Sequence, residues 1–573
     1  MLTLETMRTN RWTIQQQPSN EKVQQLSKEL NVQPLIAALL LQRGIANKAE
    51  AEKFFSPSLD QLHDPFLMKD MDKAVARIQR ALKNGEKILV YGDYDVDGTT
   101  AVALVYTFLR SQNAACGFYI PDRYSEGYGI SFAGIDFAAE EKYSLIIALD
   151  CGIKSIDKIE YADKKKIDFI ICDHHRPGDK LPDAIAVLDP KRDDCNYPYD
   201  ELCGCGIGYK LVQALAKENG IPSSQIESLL DLVAVAIAAD LVPLTGENRV
   251  LAAFGLQRIN SSPRLGFDAM MKLANLKRKL SISDIVFVFA PRINAAGRID
   301  HGKLAVELLT SIDEKEAMDA AEAINKNNTD RRDIDRNITV QALEKVLSLP
   351  NAGKRRSTVV FDENWHKGVV GIVASRLIEK YYRPTIVLTE SNGKVTGSAR
   401  SVKDFDVYEA IEECSDLLVQ FGGHKYAAGL TMEKENVEKF VTKFEDVVSS
   451  RITEAMLVPE IEIDIEYPIA EIEMGLLSEL KRFAPFGPGN MAPVFLSRKV
   501  VERGWARVVG ENHLKCDLID PKFPARIYPA IGFNLGEHLA NTANKNPIDV
   551  CYTIEENEWN GKVSLQLNLK DIR

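Results

Sequence analysis

The chain has 573 residues, 45% of them apolar and 27% charged, a balance that excludes global disorder and gives enough length for several cores. Lys and Arg number 71 and Asp and Glu 82, for a net charge of −11. That excludes a globally basic nucleic-acid coat but not an enzyme with local basic patches. The nine cysteines are odd in number and scattered, which argues for a reducing compartment, and Cys203-Gly-Cys205 has the wrong spacing for a zinc knuckle. The N-terminus lacks a basic stretch followed by an apolar one, and the longest apolar run, Leu232 to Ala239, is too short to span a bilayer. The chain therefore reads as cytoplasmic, without a membrane partner.

Residues 1–85 read as short amphipathic helices, stopped by Asn84-Gly85. Lys87 to Tyr91 is then a short apolar strand, followed by an Asp- and Gly-rich turn and the helical stretch Thr100 to Leu109. The pattern recurs. Ser144 to Leu149 is a strand ending in Asp150, Asp168 to Cys172 one ending in Asp173-His174-His175, and Ala184 to Leu188 another. Near-continuous apolar runs of this kind predict parallel strands buried on both faces, with polar residues at their C-terminal ends where ligands sit. Residues 302–348 read as one long helix joining two lobes. A second α/β region starts near Thr358, and from about residue 455 the texture changes to short strands, with Val563 to Leu569 alternating in period two. The tail reads as a small β-barrel or sandwich.

The segment Gly92-Asp93-Tyr94-Asp95-Val96-Asp97-Gly98 places three carboxylates in five residues. Read as extended backbone, it points Asp95 and Asp97 the same way. Such charges repel unless a cation neutralises them, and hard oxygen ligands suit Mg²⁺ or Mn²⁺. Alone, an Asp-rich loop is as readily a solvated turn. Asp150, Asp173-His174-His175 and Asp240 also stand at element ends, so the groups are expected to converge on one crevice. A mixed Asp/His set matches two divalent ions about 3.5–4 Å apart, the arrangement that cleaves phosphoesters. Asp150, standing alone, is the natural bridging carboxylate.

Gly92 to Gly98, Asp150-Cys-Gly and Asp173-His-His resemble the DHH phosphoesterase superfamily. Leu62 to Leu67, Glu126 to Gly129, Ala239 to Arg249, Pro291 to Arg298, Gly422 to Gly429 and Pro485 to Asn490 extend the resemblance to its branch of single-strand-specific 5′→3′ DNA exonucleases. The resemblance implies a fold of two α/β lobes, DHH with a mostly parallel sheet and DHHA1, joined by a long helix and followed by an OB-type barrel. The implied boundaries are a helical segment over 1–85, DHH over 86–300, the linking helix over 301–350, DHHA1 over 351–452 and OB over 455–573. It implies two divalent ions, Mn²⁺ or Mg²⁺, with Asp95, Asp97, Asp150, His174 and Asp240 as principal ligands. Asp93 would support the same loop, and His175 would contact the scissile phosphate or act as acid. Tyr91 stands where many smaller members carry a histidine.

Arg292, Asn294 and Arg298, set among Ala295, Ala296 and Gly297, read as phosphate contacts, because small residues let a sugar-phosphate backbone approach and arginine binds phosphate oxygens in pairs. Ser398, Arg400, Ser401, Gly422, Gly423 and His424 resemble the DHHA1 substrate segment, with the glycine N–H groups forming an anion nest. Arg376 is a candidate for a terminal 5′ phosphate. Lys277-Arg278-Lys279 reads as a solvated basic face, and Cys203 to Gly208 as a Gly-rich packing turn into the helix at Tyr209. Trp505, Arg507, His513 and Lys515 fit an OB-fold that holds a single strand.

The expected activity is hydrolysis of single-stranded DNA from the 5′ end to 5′-mononucleotides, in recombination and repair, by a monomer. The resemblance implies a single-strand-binding protein and a helicase as partners. A DHH phosphatase for oligonucleotides, cyclic dinucleotides or polyphosphate is the competing enzyme, and residues 455–573 argue against it. A scaffold relative that has lost its metal ligands is the non-enzyme reading, and here every motif carboxylate and both histidines are present.

Overall fold

The computed structural model describes residues 10–559 and 562–573. They form two compact units. The first comprises Pro18–Asn328 and Ser478–Ala492; the second comprises the described residues before Pro18, Thr329–Leu477 and Pro493–Arg573.

The first unit is built on five parallel strands, β1 (Ile88–Gly92), β2 (Cys116–Tyr119), β3 (Leu145–Leu149), β4 (Asp168–Cys172) and β5 (Ala186–Leu188), in the order β2-β1-β3-β4-β5. Every residue of β1 and β3 is buried, because both faces are covered. Ile88 and Val90 face one core and Leu89 and Tyr91 the other, as strand pleating requires. Five helices matter for the site: α1 (Val96–Ser111), α2 (Gly204–Glu218), α3 (Leu230–Asp240), α4 (Gly246–Ser261) and α5 (Ala290–Ile299). α3 is buried from Leu230 to Ala238, which explains a run apolar on all sides. A π-helical turn, Ile285–Phe289, leads into α5.

In the second unit β6 (Thr358–Phe361), β7 (Thr385–Ser391), β8 (Lys394–Arg400), β9 (Gln420–His424) and β10 (Ala427–Met432) form a mixed sheet in the order β9-β10-β8-β7-β6. The C-terminal strands close into a barrel. Phe495–Glu502 pairs with Ile548–Trp559 and also, through Val501 and Glu502, with His513–Ile519. Lys562–Ile572 and Tyr528–Gly532 complete the ring of five.

Three sequence expectations change. Residues 302–348 are two helices, Lys303–Thr310 and α6 (Glu314–Ser348), because Asp313 takes the N–H groups of Lys315 and Glu316 and starts a new helix. The N-terminal segment is not wholly helical. Arg11–Ile14 is a strand paired in parallel with Glu460–Ile463, and its Trp12 indole N–H donates to Asp571 at 2.7 Å. Residues before Asn10 lie outside the described part. Finally, Ser478–Ala492, expected within the barrel, pack in the first unit.

Candidate active site

The acidic groups of the first unit come from four elements whose ends meet at one edge of the parallel sheet. Asp93 and Asp95 leave β1. Asp95 is not in an extended run with Asp97: it N-caps α1, its Oδ1 accepting the Gly98 N–H at 3.0 Å, and Asp97 lies in the first helical turn. The Asp97 carboxylate instead points at the start of α2, where the Gly204 and Cys205 N–H groups donate to Oδ2 and Oδ1 at 2.6 and 2.7 Å. The segment read as a packing turn is thus the first turn of a helix, and its orphan N–H groups grip a carboxylate. A Cβ on Gly204 would lie 2.6 Å from the Asp150 Cβ, so only glycine lets this helix end come so close.

Asp150 follows β3 with a left-handed φ of 60°, an uncommon conformation for a residue with a side chain. His174, after β4, sits between the acids. Its Nε2 lies 3.2 Å from Asp150 Oδ1, 3.7 Å from Asp240 Oδ2 and 3.8 Å from Asp97 Oδ2. Asp240 is the last residue of α3, at the negative end of the helix dipole. Ligand atoms of Asp97, His174 and Asp240, and those of Asp150, His174 and His175, fall within 4.8 Å of one another. Asp95 stands outside both groups, although its charge acts on Asp93, Asp97, Asp150 and Asp240.

Asp173 is an anchor rather than a member of the set. Its carboxylate takes N–H groups from Ile153, His174 and His175 and meets His175 Nδ1 at 2.7 Å. Burial opposes its charge, but these bonds win and hold it down to about 2. Burial also opposes charge on His175, and the Asp173 contact again wins, raising the imidazole to about 9.

The other acids behave in the opposite way. Burial, then the neighbouring Asp95, pushes Asp97 up to about 7 despite its two N–H donors, and pushes Asp93 well above the carboxylate range. Asp150 rises well above that range through burial and then Asp97, and Asp240 rises to about 8 through desolvation and then Asp97. Asp93 Oδ2 and Asp150 Oδ1 are buried without a hydrogen bond. Buried oxygen acceptors left over, carboxylates that resist ionising together, and one imidazole among them are a donor set that fits a hard divalent cation.

One feature was missed in the sequence. The Tyr128 hydroxyl lies 3.3 Å from His175 Nε2, and its ring meets Tyr94 edge to face; only the motif Glu126 to Gly129 hinted at it. Tyr91 is turned away, stacked on Tyr119 and bonded through its hydroxyl to the Gly129 carbonyl.

On α5 the small residues do not await a sugar-phosphate backbone. Ala295, Ala296 and Gly297 are buried, and a Cβ on Gly297 would meet the Tyr94 carbonyl oxygen at 2.7 Å. They let α5 pack against the Asp93–Asp97 loop. Arg292 reaches the Val288 carbonyl at 2.8 Å and Asn325 at 3.2 Å, while Asn294 and Arg298 are half-buried on the same helix. Arg278 is paired with Asp284 at 2.6 Å, so it is not simply a solvated charge.

In the second unit, Arg400 Nη1 donates to Ser398 Oγ at 2.9 Å on β8, close enough to α7 (Val370–Lys380) that a Cβ on Gly371 would touch both side chains. Ser401 is held locally, its hydroxyl donating to the Phe405 carbonyl at 2.8 Å and its N–H to the Tyr426 carbonyl. Gly422, Gly423 and His424 belong to the exposed edge strand β9, paired with Gly429, Ala428 and Ala427; they form a ladder, not a nest. Arg376 bonds Asp335 at 2.8 Å.

On the barrel, Trp505 is 63% exposed, and Arg507 pairs across strands with Lys515. The His513 ring meets Phe533 edge to face. No helix among the described residues is long and apolar enough to cross a membrane.

Comparison with known proteins gives three family matches: a DHH family N-terminal domain over residues 87–237, a DHHA1 domain over 354–450 and a RecJ OB domain over 463–571. A curated relative, the single-stranded-DNA-specific exonuclease RecJ of Bacillus subtilis (strain 168), is 37% identical over 567 residues, covering 98% of this chain and 70% of its own. Among solved structures, RecJ of Thermus thermophilus in complex with Mn²⁺ has a TM-score of 0.83 at 27% identity, covering 98% of this chain and 79% of that one. The Mg²⁺ complex from the same organism has a TM-score of 0.76 at 26% identity, covering 98% and 78%.

Proposed function

The chain belongs to the RecJ family of single-stranded-DNA-specific exonucleases, and on that premise we propose that it hydrolyses single-stranded DNA from the 5′ end to 5′-mononucleotides with Mn²⁺ or Mg²⁺. The observation that carries the reading is the convergence of Asp97, Asp150, His174 and Asp240 in a pocket of carboxylates that cannot all ionise without a cation. Asp95, Asp97, Asp150, His174 and Asp240 would hold the metal, and Asp93 would support the loop. Bound there, divalent ions supply a water nucleophile at neutral pH and offset charge on the phosphate.

The chain's own groups do the rest. The α2 N-terminus fixes Asp97, so that ligand is set before any ion arrives. Asp173 holds Nδ1 of His175, leaving Nε2 toward the pocket, and keeps the ring cationic near neutrality. A cationic Nε2–H donates to the scissile phosphate or protonates the leaving 3′ oxygen. Tyr128, within reach of the same nitrogen, orients it.

Arg292, Asn294 and Arg298 in one unit, and Arg376, Ser398, Arg400, Ser401, Gly422, Gly423 and His424 in the other, are proposed strand contacts. Among them the Arg400–Ser398 pair has the clearest geometry for a phosphate. On the barrel, two cations placed opposite each other beside exposed aromatic rings favour an anionic, stacking ligand. We also assign the protein to recombination and repair in the cytoplasm, as a monomer working with a helicase and a single-strand-binding protein.

The test is a single-stranded oligonucleotide labelled at its 5′ or its 3′ end, incubated with Mn²⁺, with Mg²⁺ and with chelator, beside a blunt duplex. Release of mononucleotides from the 5′ end alone, dependent on metal and absent on duplex, is the expected result. Cleavage of dinucleotides but not of the long strand would overturn it in favour of a small-substrate phosphatase.

A further inference from the structure

Among the proposed ligands gathered at His174, Asp240 is the least enclosed, its side chain 32% exposed against 8% or less for Asp97, Asp150 and His174. It is the last residue of α3, just before Leu241 at a left-handed φ of 57°. Its aim therefore depends on the loop that follows, Leu241 to Thr245, and that loop is held by an unexpected partner. The Leu244 N–H donates to the Pro488 carbonyl at 2.6 Å. A Cβ on Gly487 would lie 2.4 Å from Leu244 Cδ1, and one on Gly489 3.0 Å from Thr245 Cγ2. Pro485 to Asn490 is the motif whose role the activity leaves unassigned.

The turn is itself locked. Arg249, on α4 directly after this loop, is 5% exposed, and its guanidinium fans onto the carbonyl oxygens of Phe54, Arg482, Phe483, Ala484 and Pro485. It also lies 3.8 Å over the Phe54 ring. Buried charge is tolerated only where its donors are met, so these bonds leave little freedom. Asn490, 2% exposed, donates its amide to the Phe483 and Pro485 carbonyls at 2.8 and 2.9 Å and accepts from Arg43 at 2.9 Å.

We propose that the turn Pro485 to Asn490, locked by Arg249 and Asn490, is a positioning element for Asp240. It braces the Leu241–Thr245 loop so that the carboxylate stays aimed at His174 and Asp97. This rests on the reading of Asp240 as a metal ligand. In sequence the turn lies just before the first barrel strand, so the stretch that leads into the barrel supports the metal centre as well.

The test is calorimetric titration of the full, metal-stripped chain with Mn²⁺ alone, with melting curves for each variant. Gly487→Ala, which pushes on Leu244, weakens Mn²⁺ binding about tenfold, the low end of what loss of an outer-shell support costs. At saturating Mn²⁺ its kcat returns to near the parent value. Adding Leu244→Val, which removes the opposing Cδ, restores the affinity, a rescue that general destabilisation would not give. Arg249→Lys, which keeps the charge and loses the fan, weakens Mn²⁺ binding in the same direction and covers the case of a Gly487→Ala chain that does not fold. Asp240→Asn weakens binding most. Unchanged Mn²⁺ affinity in Gly487→Ala and Arg249→Lys beside a weakened Asp240→Asn overturns the positioning role while leaving the ligand. Unchanged affinity in Asp240→Asn overturns the ligand reading beneath it.

Discussion

The two sets of motif residues are held in opposite ways. In the first unit Asp97, Asp150, His174 and Asp240 arrive from four elements, and main-chain N–H groups from Gly204, Cys205 and Ile153 fix the acids at or beside the pocket. In the second unit Ser398, Arg400, Gly422 and His424 lie on strands of one regular sheet, each half-buried or exposed. Convergence in a crevice concentrates like charge until a cation is needed. A sheet surface displays charge at low cost, so an anionic strand can come and go. Substitutions in the first set should therefore act on chemistry and metal, and those in the second on strand affinity.

The largest effect is expected from the buried acids. Asp97→Asn and Asp150→Asn should lower kcat by about 10³-fold or more, the scale on which removal of a catalytic group acts, while fluorescence anisotropy shows strand binding close to the parent. Equal losses in binding and turnover would erase the contrast between the two sets. His175→Gln comes next, with kcat down about 10²-fold, within the usual range for a general acid. Because the cationic ring is the donor and the Asp173 contact raises it above an ordinary imidazole, the parent's rate should fall as alkaline pH removes the ring proton. The variant should lack that alkaline limb.

The metal-free protein offers a sharper form of the same contrast. Asp97 and Asp240 are raised in the folded chain from 3.8 to about 7 and about 8. A group whose folded value is raised adds stability below its unfolded value and loses it as pH climbs through the folded one. Without metal, the melting temperature should thus drop by several degrees between pH 5 and pH 8 as these carboxylates are forced to ionise. Saturating Mn²⁺ should flatten that slope, and Asp150→Asn should raise the metal-free melting temperature at pH 8. A slope unaffected by Mn²⁺ would place the titrating acids outside the metal centre.

Much of this site was legible because its signals are local. Apolar runs of strand length ending in Asp150 or Asp173-His174-His175 gave the sheet and the side of it on which the groups gather. What escaped depends on partners distant in sequence. Nothing near Cys203-Gly-Cys205 says that Asp97, about a hundred residues earlier, takes its N–H groups. The spacing of Asp95 and Asp97 fits a strand as well as a helix start, and the capping bond decided it. Ala295-Ala-Gly297 correctly marked a close approach, but the approaching backbone is Tyr94 of the same chain. Gly422-Gly423 suggested an anion nest, whereas pairing with Ala428 and Gly429 makes an edge strand. Smallness and flexibility identify a contact without identifying the partner.

The smallest effect tests the open surface. Arg400→Ala removes a guanidinium whose Nη1 already bonds Ser398 Oγ and the Ala399 carbonyl, so it is pre-oriented rather than free to swing. A charge-assisted bond to phosphate at a partly exposed site is worth roughly 1–1.5 kcal/mol, about tenfold in affinity. Strand Kd should therefore rise about tenfold at moderate salt, with kcat at saturating DNA nearly unchanged. The slope of log Kd against log salt should shrink by about one contact. Arg400→Lys should recover only part of the loss, because a point charge replaces a planar fork. If Arg400→Ala instead lowers kcat with Kd and salt slope intact, this arginine acts on the reacting phosphate, and the division between a buried site for chemistry and an open surface for binding fails at that residue.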